Sequence, residues 1–185
     1  MAEEKTILLE RDELGRTISR MAHEIVERAT TPNEVALIGI RSRGVHLARR
    51  LARRIQEIEK IAPPVGVIDV TPFRDDRAQE QDSPAIGAFE VQIAVDEKTV
   101  VLIDDVIFRG RTIRVALEAV ERLGRPKRIL VAVLIDRGAR ELPIRADIVG
   151  KNVDASDGQR VNVLLEESDG VDQVTIAHWQ GRTTS

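Results

Sequence analysis

The 185 residues carry 28 Lys or Arg, 31 Asp or Glu and 3 His, a formal net charge of -3, with 42% apolar residues and no Cys. This composition fills the core of one large domain; it excludes disulfides, thiolate metal sites and a thiol nucleophile, disfavours a His-rich metal site, and excludes a globally basic nucleic-acid binder but not a local basic patch. No apolar run reaches the ~18 residues of a membrane span and the start lacks a signal-peptide core, so a soluble cytoplasmic protein is expected, and aromatics at 2% with no Tyr leave no stacking platform for RNA.

In chain order, Ile7-Leu8-Leu9 predicts an edge strand or arm. Asp12 to Ala29 predicts a helix with Leu14, Ile18, Met21, Ala22, Ile25 and Ala29 on one face and Arg16, Ser19, Arg20, His23 and Glu27 roughly opposite. Ser19 and His23, one turn apart with arginines beside them, form either a solvated face or a surface that touches phosphates and base edges. Pro32-Asn33 ends that helix. Val35 to Ile40 reads as a buried strand that ends in the basic turn Arg41-Ser42-Arg43-Gly44. A helix follows with Val45, Leu47, Ala48, Leu51, Ile55 and Ile58 inward. Two arginines and exposed N–H groups suit a pyrophosphate; plain surface charge is the alternative. Val65 to Val70 is a third strand. Arg74 to Pro84 is polar and poorly periodic, a mobile loop, and Ile86 to Val95 returns as a strand to make a hairpin flap.

Val100-Val101-Leu102-Ile103 reads as a strand buried on both faces, with Asp104 and Asp105 at its C-terminal end. A short loop through Val106, Arg109 and Gly110 leads into a helix whose apolar positions are Ile113, Ala116, Leu117 and Val120. Strand, loop and helix in this order receive a phosphate on backbone N–H groups and the helix N-terminus. Gly110 permits close backbone approach, and Arg111 and Thr112 add donors. The carboxylates can accept from sugar hydroxyls and attract Mg²⁺. An ordinary βα turn with two solvated Asp residues is the alternative. Gly124 and Pro126 stop the helix, and Ile129 to Ile135 is a further buried strand leading to Asp136-Arg137-Gly138. Arg160 to Leu165 and Val174 to Trp179 alternate about the turn Ser168-Asp169-Gly170, a hairpin at an edge. Trp179 reads as packing and Gly181 to Ser185 as frayed. No repeat or linker divides the chain, so residues 1–185 are expected to form one domain.

The stretch from Val100 to Leu117 resembles the phosphoribosyl-diphosphate (PRPP) signature of the type I phosphoribosyltransferases. Gly39 to Gly44, Arg74-Asp75-Asp76, Gly124-Arg125-Pro126, Asp136-Arg137-Gly138 and Arg140 to Asn152 narrow the resemblance to the PyrR family. These are bifunctional pyrimidine-operon attenuation regulators with uracil phosphoribosyltransferase activity. The similarity spans roughly Leu14 to Val163. It implies an α/β fold: a mostly parallel sheet flanked by helices, a mobile flap at about 72–86 and a small C-terminal hood from about 137–185. It implies that Asp104, Asp105 and Arg43 serve catalysis, and that Ser42, Arg43, Gly44, Val106, Arg109, Gly110, Arg111 and Thr112 hold PRPP. Arg74, Asp75 and Asp76 belong to the closing loop, and Arg137, Ile148 and Val149 border the base. Ser19, His23, Arg140, Arg145 and Lys151 face RNA. Mg²⁺ would come with PRPP at Asp104 and Asp105. The implied partners are PRPP, uracil, UMP as co-regulator, and the leader mRNA of pyrimidine genes, with a homo-oligomer, dimer or tetramer. Two further readings stand beside this one: a phosphoribosyltransferase for another base without RNA regulation, and a nucleotide-binding regulator that has lost catalysis. The chain departs from the family pattern at Arg109, where Thr is usual, at Phe73 for Tyr, at Ala139 for His, and at Asp154-Ala155-Ser156 for Pro-Thr-Ser.

Overall fold

Long apolar runs alternate with amphipathic helices, and the chain resolves this into helices on both faces of a parallel sheet. The computed structural model describes residues 5–29, 31–70, 93–156 and 158–178. The main sheet holds β2 (Val35–Ile40), β3 (Val65–Ile68), β4 (Thr99–Ile107), β5 (Arg128–Asp136) and β6 (Ile148–Asn152) in the order β3-β2-β4-β5-β6, every neighbour parallel. β2 is buried throughout and β4 everywhere but Val106, as expected of strands covered on both faces.

α1 (Arg11–Arg28) and α2 (Arg43–Glu59) cover one face, where Leu14, Ile18, Met21, Leu47 and Leu51 pack with Val101 and Ile103. α3 (Arg111–Leu123) covers the other, where Ile113, Ala116 and Val120 pack with Val100 and Leu102. The strand's period of two divides β4 between these cores. α1 starts at Glu10, whose side chain and that of Glu13 form a reciprocal capping box.

A second, antiparallel sheet of order β1-β8-β7 forms the hood from β1 (Lys5–Leu9), β7 (Gln159–Leu164) and β8 (Gln173–His178). The N-terminal strand thus completes the hood, and the expected hairpin is an edge only on its β7 side. Its turn is a one-turn helix, α4 (Glu166–Asp169), closed by Gly170 in the left-handed region. Ile148 to Asn152, expected in the hood, is the fifth strand of the main sheet. Its Gly150 lies so close to Leu134 that a Cβ would come within 2.4 Å of the Leu134 carbonyl.

The strand order reverses between β2 and β4: the chain leaves β2 for β3 on one side and then crosses to β4 on the other. Ligands of open parallel sheets bind outside the carboxyl ends of the strands at such a point. The flap residues Arg74, Asp75 and Asp76, the strand expected from Ile86 as far as residue 92, and Trp179 lie outside the described residues. Ile93 to Val95 carry no strand. Among the described residues, no helix is long and apolar enough to cross a membrane.

Candidate active site

Two glycines bring the basic turn against β4. A Cβ on Gly39 would lie 2.5 Å from the Val45 Cα, and one on Gly44 would lie 2.4 Å from the Ile103 carbonyl and 3.3 Å from the Asp104 Cα. The first turn of α2 can therefore sit directly on the strand that carries the carboxylates. The Arg41–Ser42 peptide just before it is cis.

Asp104 and Asp105 are only 4% and 7% exposed. They lie within β4 rather than beyond it, since Asp104 is in register with Val133 and the pairing continues to Ile107. Consecutive strand positions point to opposite faces, so the two carboxylates do not share one face. Each accepts from the following backbone: Asp105 N–H donates to Asp104 Oδ1 at 2.9 Å, and Val106 N–H to Asp105 Oδ1 at 3.0 Å.

Past β4 the chain turns through Gly110, with φ +92°, which is the N-cap of α3. The segment after β5 backs this loop. Arg137 N–H donates to the Ile107 carbonyl (3.2 Å), Arg140 to the Phe108 carbonyl (2.7 Å), and the N–H groups of Glu141 and Leu142 to the Arg109 carbonyl (3.1 and 3.2 Å). Three successive carbonyls are thus held on one side. The N–H groups of Arg111, Thr112 and Ile113, in the first turn of α3, have no intrahelical acceptor and can receive an anion.

The long cations of the two loops meet carboxylates of the chain itself. Arg109 Nε lies 3.1 Å from Glu141 Oε1, and Arg111 reaches Glu141 Oε2 through Nε at 2.9 Å. Arg43, expected at the pyrophosphate, is engaged within the chain. Its guanidinium donates to Asp169 of the hood at 2.8 and 3.3 Å, and Arg41 faces Asp69 at 3.6 Å. Ser42 is exposed and Gly44 buried. Two turns further along α2, Arg50 donates to both Glu167 and Asp172. The Glu167 bond is the largest influence that raises the Arg50 pKa above its ordinary value.

Beyond the ends of β5 and β6 lies a cavity of about 370 Å³ lined by Asp136, Gly138, Arg140, Arg145, Ala146, Val149, Asn152, Val153 and Asp154. Of the three expected base-pocket residues, only Val149 lines it. Ile148 is 0% exposed and packs in the core beneath α1, so it does not cover a ring; the pleat sends it to the opposite face from Val149. The Arg137 guanidinium stacks on Phe108, 3.9 Å from the ring centroid, with Arg109 also near that ring.

The expected RNA-facing residues divide. Arg140 is turned inward: it donates to Ile144, Phe108 and Gly138 carbonyls and to Asp136, and its side chain is 18% exposed. It is a brace of the loop rather than a solvent-facing cation. Arg145 and Lys151 are exposed, with Lys151 donating to the Leu8 carbonyl. On α1, His23 is exposed while Ser19 is half-buried, its hydroxyl bonded to the Gly15 carbonyl. α1 lies against β6: Arg20 donates to the Val149 carbonyl at 3.1 Å and to that of Gly150. Sequence reasoning missed Glu141 and Asp169, and it placed Arg20 on the polar face of α1 without its contact to β6. The one signal for Glu141 was an acid set among the cations of the segment 140–151.

Hard carboxylate oxygens at Asp104 and Asp105 fit Mg²⁺. Among the described residues no group of three or more His, Asp or Glu could hold a metal unaided.

Parallel sheet, switch-point carboxylates and a helix-opening loop define a class. The family model described as phosphoribosyl transferase domain matches residues 6–165, and the chain belongs to that family. Within it the chain is a member of the PyrR group. It is 52% identical over 176 residues to the bifunctional protein PyrR of Pelotomaculum thermopropionicum, which covers 95% of this chain and 97% of that protein. It is 53% identical to PyrR of Chloroflexus aurantiacus, over 95% of this chain and 96% of the relative. Among solved structures, the hypoxanthine phosphoribosyltransferase of Trypanosoma cruzi in complex with IMP shares the fold at a TM-score of 0.71 and 16% identity, covering 95% of this chain and 91% of that one.

Proposed function

We propose that the chain is a pyrimidine-responsive RNA-binding regulator of transcription attenuation that also transfers the phosphoribosyl group of PRPP to uracil, giving UMP and pyrophosphate. The observation that carries this reading is the meeting of three parts at the β2/β4 switch point: the basic turn, two nearly inaccessible carboxylates and the first turn of α3.

In this reading the N–H groups and side chains of Arg109 to Thr112 hold the 5′-phosphate. Ser42, Arg43 and Gly44, at the N-terminus of α2, hold the pyrophosphate. Asp104 and Asp105 hold the ribose hydroxyls. The C1–pyrophosphate bond breaks as uracil N1 bonds to C1, and the N1 proton passes to solvent water. Positive charge develops at C1 and the ring oxygen, and the two carboxylates stabilise it. No protein nucleophile is required. Mg²⁺ held through PRPP would neutralise the leaving diphosphate; with two carboxylates available, its remaining ligands would be oxygens of the ligand and water. Val149 and the cavity beside it border the base. UMP, held in the same place, acts as co-regulator while leader RNA binds along α1 and β6. The assembly is a homo-oligomer, dimer or tetramer.

The test is pyrophosphate release by the purified protein with PRPP and Mg²⁺, base by base. Uracil-dependent release is expected. Release with a purine but not uracil overturns the substrate, and UMP binding with no turnover for any base overturns the enzymatic half.

A further inference from the structure

Glu141 sits where the segment after β5 meets the loop after β4. Its carboxylate spans two cations of one loop, Arg109 at 3.1 Å on Oε1 and Arg111 at 2.9 Å on Oε2. Its own N–H donates to the Arg109 carbonyl at 3.1 Å, so backbone and side chain both fasten it to that loop. Leu142 and Ile144 continue the contact: a Cβ on Gly110 would lie 3.5 Å from the Cβ of each. Arg109 and Arg111 are cations of the loop that also presents the free N–H groups of α3. The chain has therefore placed a carboxylate against the groups that would meet an anionic ligand.

We infer that Glu141 is an internal counter-anion that competes with ligand phosphate for Arg109 and Arg111, and so sets the loop's affinity for phosphorylated ligands. The inference rests on reading residues 109–112 as the phosphate site. The sign follows from chemistry. The three side chains are 39–48% exposed, and ion pairs so open to water hold weakly. A phosphate dianion offers more charge and bidentate bonds to a guanidinium, so it displaces a single carboxylate. Glu141 also opposes ligand binding directly, as a like charge beside the dianion.

The consequence is selective. Removing the charge at position 141 raises affinity for every ligand that carries phosphate and leaves uracil, which has none, unaffected. Arg140, Arg145 and Ala146 of the segment that carries Glu141 line the neighbouring cavity, so the docking of this segment on the loop is linked to phosphate occupancy. By reciprocity, a ligand that weakens the Glu141 contact loosens this segment by the same free energy.

The experiment uses the full chain and Glu141→Gln, which keeps size and a hydrogen-bonding oxygen at an exposed position. Calorimetry measures inorganic phosphate, UMP and uracil binding to both proteins. Expected are affinities for phosphate and UMP raised roughly three- to tenfold in the variant, uracil unchanged, and a lower KM for PRPP with kcat unaltered. Hydrogen exchange at the Leu142 amide adds an independent measure: phosphate should speed it in the native chain and have little effect in the variant. Weaker phosphate binding by the variant, or an equal change for uracil, overturns the inference and makes Glu141 a plain support of the loop. If the native chain binds neither phosphate nor UMP, the phosphate-site reading itself fails and the inference with it.

Discussion

Asp104 and Asp105 are buried acids just before the loop proposed to hold a phosphate, and ordinary packing gives no reason to keep two charges there. Burying a carboxylate costs several kcal/mol unless something compensates, which is why such groups concentrate at functional sites. The double change Asp104→Asn and Asp105→Asn keeps shape while removing charge. It should lower uracil-dependent pyrophosphate release by at least about a hundredfold, with circular dichroism and cooperative melting retained. Unchanged turnover would sink the assignment. Arg43 poses a sharper question, because its guanidinium is held by Asp169. If it binds pyrophosphate, Arg43→Ala weakens PRPP by about ten- to a hundredfold and leaves UMP within about twofold. Asp169→Asn, which frees the arginine, then leaves PRPP binding intact or tighter. Equal losses of PRPP and UMP in Arg43→Ala would make it a hood clamp alone, with a stability cost of about 1 kcal/mol shared by both variants.

α4 has four residues and no buried side chain, so it cannot persist by its own helical hydrogen bonds. Arginines of α1 and α2 hold it: Arg11 to Glu166, Arg43 to Asp169, and Arg50 to Glu167 and Asp172. The Arg50 bond is the main cause that holds Glu167 below its ordinary pKa. Burial pushes Asp169 and Asp172 upward, but it is outweighed by the Leu165 N–H and Arg43 for the first and by Arg50 and the Glu166 N–H for the second, so both end lowered. Carboxylates whose folded pKa is depressed contribute stability that is present above their unfolded pKa and lost as pH falls through the folded one. Arg50, with its pKa raised, stays charged throughout. The hood's docking should therefore be pH-independent above about pH 5 and weaken as pH drops below about 4. Melting temperature followed from pH 7 to pH 3 checks this. In Arg50→Ala the chain should melt lower at pH 7 and lose less on acidification, and an acid profile parallel to that of the native chain would refute the clamp.

A chain with net charge -3 can attract RNA only through a local patch. The fold assembles one candidate from distant segments, since α1 with His23 rests on β6 with Lys151 through Arg20. The carboxylates belong to β4, two strands away in the sheet. The two activities should therefore separate. Lys151→Ala should weaken leader-RNA binding by about tenfold and lower the salt slope by about one, with uracil transfer within about twofold. Asp105→Asn should do the reverse. Titration of a pyrimidine-gene leader RNA at several salt concentrations, with and without UMP, measures both. Weak, salt-insensitive binding indifferent to UMP and to Lys151 would leave only the enzyme. Arg140→Ala should behave differently from Lys151→Ala, lowering thermal stability and phosphate binding together, because its donors brace the loop.

The amino-acid sequence by itself determined the layers and pointed to the place proposed for the chemistry. Val35 to Ile40, Val100 to Ile103 and Ile129 to Ile135 are continuous apolar runs, and the intervening helices show a period near 3.6, so β2, β5 and α1 to α3 were legible within about two residues, whereas β4 runs on through the carboxylates to Ile107, four residues past its apolar run. The carboxylates, Gly110 and the helix start lie close together along the chain, so the anion cradle proposed there is readable from their order. Tertiary structure decided everything that joins remote segments. β1 pairs with β8 across most of the chain, β6 joins the main sheet on an apolar pattern too short to read, and Ile148 faces the core rather than the ligand. It also decided the state of the cations: Arg43 meets an acid 126 residues away, Arg111 one 30 residues away, and Arg140 turns inward. Periodicity is a local property of the chain, whereas which carboxylate lies within reach of an arginine depends on how distant loops pack at the ends of the sheet.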